Sequence, residues 1–565
     1  MKSTNLVAMF LVSTRLFAEA PTPKDEKISQ DLLNSNDAVS DIILIHADND
    51  DDSSRLKREE KVHAFGGGSL KHFPASGISS LRASRALLEE LRKDSKIRFI
   101  APDRKISASA SGSGSYYQTD VRTLLGLTSS TTQTGSGVGV AVIDSGVNKL
   151  AGFGTTGACA TSRVVYSENF ASDVGTIDLF GHGTHVASIL ASNAACDATY
   201  STSAAPSAKI INLRVLNALG AGSDSAVIAA VDRAIALKST YNIRVMNLSL
   251  GRGIFDTFVN DPLCQAVERA WKAGIVVVVA AGNMGRYATT SGYATIASPA
   301  NDPFVITVGA VRDPGNGLWN SRTDDTIASY SSKGPSMRDH VVKPDLVAPG
   351  NQMVARTVFP STLTNQYPIN VTTFENASGN YFKLSGTSMA TPVVAAAAAL
   401  LLQKDATLTP DQVKARLMKT AWKGMAATAS IYDTSINTTF NVQQDLFAIG
   451  AGYLDASAAL ANTEKIGSTQ SAVSPRVVVL STGKVQLTSS YPNLAGLNVV
   501  WGSNVVWGEN VVWGSNVLLA NSVVWGDNVV WGTNVSSGYN VVWGDSVVWG
   551  DSTPFSMALS AAGDN

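Results

Sequence analysis

Between Gly137 and about Gly452, short runs of β-branched and apolar residues alternate with longer stretches patterned for helices. The strand-like runs are Val138 to Ile143, Lys209 to Val215, Ile243 to Leu248, Ile275 to Ala280 and Phe304 to Val308. Helical patterns cover His182 to Asn193, Ser223 to Leu237, Pro262 to Lys272, Ser388 to Leu402 and Pro410 to Thr420. A strand that is apolar along its whole length must be covered on both faces, and helices in the connections supply that cover. The predicted fold is therefore α/β, a doubly wound, mostly parallel sheet with helices on both faces. Functional groups in such folds collect at the carboxyl ends of the strands.

The flanks differ in kind. Residues 1–20 carry Lys2, an apolar run from Leu6 to Val12 and the small-x-small step Ala18-Glu19-Ala20, the layout of a cleavable export signal. Residues 21–110 suggest a small α+β unit, with strands at Asp41 to Ile45 and Ile97 to Ile100, a helix at Leu81 to Leu91, and a solvated loop over the charged run Asp48 to Lys61. A Ser/Thr-rich connection (463–497) leads to nine hexapeptides of the form Asn-Val-Val-Trp-Gly-x (498–551) and a short tail (552–565). Leu519 and Ser537 replace Trp in two units that lie 18 residues apart. A triangular β-solenoid, a meander of Val-Val-Trp strands and a disordered sticky tail all accommodate that repeat.

Charge is scarce, 16% of residues against roughly 25% in an ordinary soluble domain. The first 110 residues hold 33 of the charged groups and the other 455 hold 56, so the deficit belongs to the larger part. A net charge of -1 argues against a protein built to grip nucleic acid or an anionic membrane. No segment reaches the 18 or so apolar residues of a spanning helix. Three cysteines allow at most one internal disulfide; Cys159 with Cys196 is the candidate pair, left open, and Cys264 suits a buried apolar position.

Four segments carry chemistry: Ala141-Val-Ile-Asp144-Ser-Gly146, Gly181-His182-Gly-Thr-His185, Ala280-Ala-Gly-Asn283 and Gly386-Thr-Ser388-Met-Ala-Thr-Pro392. Singly, Asp144 could cap a helix, His182 could sit satisfied in a core, and Ser388 could be an N-cap. Together, in the order Asp, His, Ser, they supply a carboxylate to fix an imidazole, an imidazole to take a proton near neutral pH, and a hydroxyl too weak to attack unaided. His185 follows His182 by three residues with no intervening carboxylate, unlike a zinc helix, and is expected to pack beneath the site.

These segments resemble the signature motifs of the subtilisin-like serine peptidases, the subtilase family. Asn247-Leu-Ser-Leu-Gly251, Ala205-Pro206 and Lys343-Pro-Asp-Leu-Val-Ala-Pro-Gly350 extend the resemblance, which runs from about Tyr116 to Ala461. It implies that Asp144 orients the base, His182 is general base and acid, Ser388 is the nucleophile, and Asn283 donates to the oxyanion. Ser249, Leu250 and Gly251 would form one wall of the primary specificity pocket, and Ala280, Ala281 and Gly282 the other. No cofactor is required for such chemistry and no metal ligand is assigned. Structural calcium is a family trait, but Asn193 to Ser203 departs from the usual calcium loop and its ligands stay unknown.

The N-terminal unit is similar to the inhibitory propeptides of secreted subtilases, chiefly through Ile97-Arg-Phe-Ile-Ala-Pro-Asp-Arg104. The resulting reading divides the chain into signal (1–20), propeptide (21–110), catalytic domain (111–462), linker, repeat and tail. It describes a secreted, extracellular serine endopeptidase made as an autoprocessed zymogen, with release expected between Ser107 and Ser115. Its partners are protein or peptide substrates and its own propeptide, with surface binding or self-association open to the repeat. The alternative is a catalytically inert adhesive protein acting through the Trp repeat.

Overall fold

The computed structural model describes residues 27–488 apart from short internal segments, chiefly 109–119, 197–202, 315–321, 373–380 and 480–484. The expected export signal and the Trp repeat lie outside the described residues.

An antiparallel sheet forms the N-terminal unit, with strands β1 (Val39–His46), β2 (Lys71–Phe73), β3 (Ile78–Ser84) and β4 (Ile97–Pro102) in the order β2-β3-β1-β4. Its helices are α1 (Gln30–Asn34), α2 (Asp52–Ala64) and α3 (Arg85–Arg92). One sheet face, with Ile42, Leu44 and Leu81, packs against Leu87, Leu88 and Leu91 of α3. Ile43, Phe73 and Ile78 instead join the large core of the second unit. Two sequence expectations are corrected here. The charged run Asp48 to Lys61 is largely the helix α2, because Asp51 accepts the Ser54 N–H at 2.7 Å as its cap and Arg58 is buried between Asp50 (3.0 Å) and Asp94 (3.1 Å). The segment from Leu81 is still strand up to Ser84, whose hydroxyl caps α3, so the helix begins four residues later than its apolar spacing suggests.

A short strand, β5 (Lys105–Ala108), then leaves the unit toward the larger one. There a single sheet contains β6 (Gly139–Asp144), β7 (Val164–Asn169), β8 (Lys209–Arg214), β10 (Ile243–Leu248), β12 (Val276–Ala280), β13 (Ile306–Arg312) and β15 (Leu346–Pro349). All pair in parallel in the order β7-β8-β6-β10-β12-β13-β15, and a two-residue strand β14 (Thr326–Ile327) adds antiparallel to β13. Two further short edges, β9 (Ala221–Ser223) and β11 (Leu250–Gly251), belong to the cleft. The helices α4 (His182–Ala191), α5 (Asp224–Ala236), α6 (Pro262–Lys272), α7 (Thr387–Lys404) and α8 (Pro410–Thr420) match the five predicted stretches to within a few residues. Local chemistry sets their starts: Asp261 caps α6 ahead of Pro262, and Thr409 with Gln412 forms a capping box on α8. Helix α7 is buried from Thr387 to Leu402, which its Ala-rich sequence permits by letting it lie close to the sheet.

Strand order reverses around β6, whose neighbours are β8 and β10 although β7 follows it in sequence. That is the topological switch point where α/β sheets bind ligands. The register brings Ile143, Leu248 and Val279 to one level. The residues after them, Asp144, Ser249 and Ala280, therefore emerge at a common edge.

At the far end of the larger unit, Ala472, Val473, Ser474 and Val477 are buried although they lie within the stretch read as a linker. Ser474 Oγ accepts from Lys414 Nζ at 2.8 Å, and Val477 joins the main core. Cys159 and Cys196 form a disulfide, and Cys264 is a buried free thiol, resolving the alternatives left open by counting. Among the described residues no helix is long and apolar enough to cross a membrane.

Candidate active site

Asp144 ends β6 and His182 begins α4, and the two meet: Asp144 Oδ1 lies 2.7 Å from His182 Nδ1. The carboxylate oxygen can only accept, so Nδ1 carries the proton and Nε2 is the basic nitrogen. Asp144 Oδ1 also accepts the Ser145 N–H at 2.7 Å, which fixes the carboxylate.

A residue that the motifs do not single out ties these two elements together. Asp178 is fully buried and accepts from Gly181 N (2.7 Å), Thr184 N (2.8 Å) and Ser145 Oγ (2.9 Å). Ser145 Oγ in turn accepts the Gly183 N–H at 2.9 Å. Burial pushes the Asp178 carboxyl above its ordinary pKa, against the hydrogen bonds from Gly181, Thr184 and Ser145 that favour its charge. An acidic residue a few positions ahead of a predicted helix start is a capping signal, so Asp178 was open to sequence reasoning. His185, on the same helix, gives its Nε2–H to Phe382 O at 2.8 Å, and burial lowers its pKa to about 3, keeping it neutral in the packed position expected for it.

Ser388 is the second residue of α7, in the first turn where backbone N–H groups have no carbonyl within the helix. It exchanges hydrogen bonds with Ser249: Ser388 Oγ donates to Ser249 O at 3.0 Å and Ser249 Oγ donates to Ser388 O at 2.8 Å. Asn283 reaches the same helix end from the loop after β12. Its Oδ1 accepts both the Thr387 N–H and the Thr387 Oγ–H at 2.9 Å. Since a backbone N–H must face the oxygen, the amide is oriented without ambiguity and its Nδ2 points elsewhere. That Nδ2 is buried and has no acceptor among the described residues. A buried donor left unmatched costs roughly 1–3 kcal/mol, which is tolerable where a ligand oxygen supplies the match.

Of the residues expected to wall the specificity pocket, Leu250, Gly251, Ala280 and Gly282 line the cleft together with Asn283, Thr387 and Ser388. Ser249 and Ala281 are buried behind it. Between the walls sits Ala297, which sequence reasoning did not find. Its N–H donates to Ala281 O at 2.9 Å, and the next residue, Ser298, exchanges two backbone hydrogen bonds with Arg252 at 2.8 and 3.0 Å. A Cβ added at Gly251 would lie 3.0 Å from the Ala297 methyl, and one at Gly282 would lie 3.4 Å from it. The methyl of Ala297 therefore closes the slot between the two glycines. No local motif announces this, because the segment reaches the pocket through contacts with residues 16 and 46 positions earlier.

The tail strand β5 lies in this cleft. It pairs antiparallel with β9 on one side, Ser107 facing Ala221 and Lys105 facing Ser223, and with β11 on the other, Ser107 facing Gly251 and Ala108 facing Leu250. Ile106 is 2% exposed and belongs to the main core. Asp103, just before the strand, accepts the Ser225 N–H at 2.9 Å at the start of α5.

Among the described residues no three His, Cys, Asp or Glu side chains converge as metal ligands. The segment Asn193 to Ser203 lies partly outside the described residues, and no step below runs through a metal.

A carboxylate, an imidazole and a hydroxyl at the switch point of a doubly wound sheet, with an amide donor beside the hydroxyl, define a serine hydrolase of the α/β class. Comparison with known proteins narrows the class. The profile of the Subtilase family matches residues 135–452, more than half of the chain, and the chain belongs to that family of serine endopeptidases. It is similar to serine protease AprX of Bacillus subtilis (strain 168), 38% identical over 295 residues that make up 50% of this chain and 61% of that protein. It is also similar to subtilisin E of the same organism, 32% identical over 368 residues, 65% of this chain and 81% of the other. Among solved structures, fervidolysin from Fervidobacterium pennivorans, a keratinolytic enzyme related to subtilisin, shares the fold with a TM-score of 0.57 at 22% identity, over 79% of this chain and 64% of that one.

Proposed function

We propose that the chain is a secreted serine endopeptidase made as a zymogen, with Asp144, His182 and Ser388 as its triad and Asn283 as its oxyanion donor. One observation carries the reading: the buried Nδ2 of Asn283, oriented by Thr387 and unmatched, stands beside the helix start that holds Ser388. In the reaction, His182 Nε2 takes the Ser388 hydroxyl proton as Oγ attacks the peptide carbonyl. The new oxyanion accepts from Asn283 Nδ2 and the Ser388 N–H, helped by the positive end of α7. His182 then passes the proton to the leaving amine, giving an acyl-enzyme on Ser388, and water repeats the sequence to release the acid. Asp144 holds the tautomer throughout and stabilises the imidazolium.

The N-terminal unit is read as an inhibitory propeptide. Its tail enters the cleft as an added strand and runs toward Ser249, whose carbonyl receives the Ser388 hydroxyl. The processing bond is accordingly expected just beyond Ala108. Export rests on the Lys2, Leu6 to Val12 and Ala18-x-Ala20 pattern. The test is the full chain with Ser388→Ala, compared with wild type for cleavage after Ala108 and for labelling by a phosphonyl fluoride. Loss of both supports the endopeptidase. Processing of the variant at the wild-type rate, or a wild type inert to the reagent, would leave the adhesive alternative standing.

A further inference from the structure

Three residues before the one that faces Gly251, the tail places a guanidinium in a pocket that the chemistry above does not use. Arg104 Nη2 donates to Asp256 Oδ2 at 2.6 Å, and the guanidinium lies over the Phe255 ring, 4.7 Å from its centroid. Asp256 is 8% exposed and Arg104 7%. The main chain of Arg104 belongs to the same strand addition, because the Asp224 N–H donates to Arg104 O at 2.9 Å directly after the β5–β9 pairs. Strand register, rather than the fold of the N-terminal unit, thus delivers this side chain to Asp256.

The partners of Arg104 fall into two groups. Ser29 and Asp31 come from the N-terminal unit, at 2.8 Å from Nη2 and 2.9 Å from Nε respectively, and depart with it. Phe255 and Asp256 remain. The neighbouring guanidinium, Arg252, is held by Asp224 and Asp261 at 2.8 Å each, so its charge is already matched. Release of the tail therefore leaves the Asp256 carboxylate without the cation that matched it, and the Phe255 ring with only the already matched Arg252 guanidinium, 5.9 Å from its centroid.

We propose that Phe255 and Asp256 form a subsite for a cationic side chain of an extended peptide substrate, two residues before the one that takes the place of Ile106. The inference rests on the endopeptidase reading of the same cleft. A planar guanidinium can stack on Phe255 while donating to Asp256, so Arg should serve better than Lys.

The test uses the full chain after its own processing is complete, and two fluorogenic peptides that differ only by Arg or Gln at that position, each with Ile two residues later. The Arg peptide should show a kcat/KM about fivefold or more higher at low salt, carried mainly by KM, as expected of one charge-assisted contact partly open to water. The advantage should shrink at 1 M salt and vanish in Asp256→Asn. If that variant does not fold, Phe255→Leu and the wild-type salt series decide the point. Equal kcat/KM and equal binding by anisotropy for the two peptides at low salt would overturn the subsite. Arg-selective binding with no hydrolysis of either peptide would keep the subsite and sink the endopeptidase reading instead.

Discussion

The two sheets of the molecule are covered in different ways. In the parallel sheet, β12 reads Val-Val-Val-Val-Ala and is buried throughout, with helices of its own unit on both faces. The N-terminal sheet covers only one face with its own helices, and the other, through Ile43, Phe73 and Ile78, is covered by the second unit. A sheet that brings its own cover can hold catalytic groups steady while other parts come and go. A sheet that borrows cover loses part of its burial on separation, which exposes apolar surface. On the proposed function a division of labour follows: one unit would carry the chemistry, and the other would be held against it.

Changes confined to the catalytic sheet edge should leave docking intact. Asn283→Ala should lower kcat by about 100- to 1000-fold with little change in KM; that magnitude was measured at the corresponding donor of subtilisin, a relative of this chain. The measurement is steady-state kinetics on a peptide substrate, and a kcat within twofold of wild type would reject the oxyanion role. Next in size is Ala297→Gly. Removing the methyl between Gly251 and Gly282 should raise the ratio of kcat/KM for Phe over Ala at the cleavage site by about 10- to 200-fold, the range for about one methylene in an apolar pocket. An unchanged ratio would show that another group closes the pocket.

The borrowed cover makes the converse prediction. If the N-terminal unit inhibits as proposed, Ile43→Ala should weaken that inhibition by roughly tenfold or more, since deletion of buried aliphatic groups costs about 2–5 kcal/mol and part of that is spent within the unit itself. Activity should emerge sooner after processing, while the melting point of the released enzyme stays put. A shift of that melting point would mean that Ile43 supports both units alike.

Acid should act on both sheets. Burial lowers the pKa of His185 to about 3 and of His340 to about 4 in the larger unit, and of His46 to about 4 in the smaller. Each is below the unfolded value of about 6.5, so between those limits the unfolded chain binds more protons than the folded one. The stability these neutral imidazoles contribute is complete above pH 6.5 and is lost as the pH falls toward 4. The thermal midpoint of the full chain should therefore drop across pH 6.5 to 4. A flat profile over that window would show the histidines to be more hydrated than their burial implies.

Sequence patterning located five of the seven parallel strands and all five large helices because their apolar periods and caps are local; β7, only partly buried beyond Val164, and the four-residue β15 escaped it. The triad candidates were legible for the same reason, each lying inside a short motif at a strand or helix end. What stayed hidden depends on partners remote in the chain. Ala297 matters only because Gly251 and Gly282 close over it, and Asp178 because it joins Ser145 to the turn before His182. The run Asp48 to Lys61 misled because its charges were counted as solvated, whereas Arg58 finds two carboxylates and is buried with them. The tail Lys105 to Ala108 has no marked strand pattern and becomes a strand because two edges wait on either side of it.

That waiting pair of edges has a kinetic consequence. While the tail is covalently joined, β9 and β11 meet it at an effective concentration on the order of millimolar, set by the tether and not by how much protein is present. If the bond beyond Ala108 is cut as proposed, no contact need change, yet the same strand becomes a separate molecule competing at its bulk concentration. Activation of such an enzyme would then be governed by dilution: crowded at the point of synthesis it would stay silent, and spread into a larger volume it would switch on.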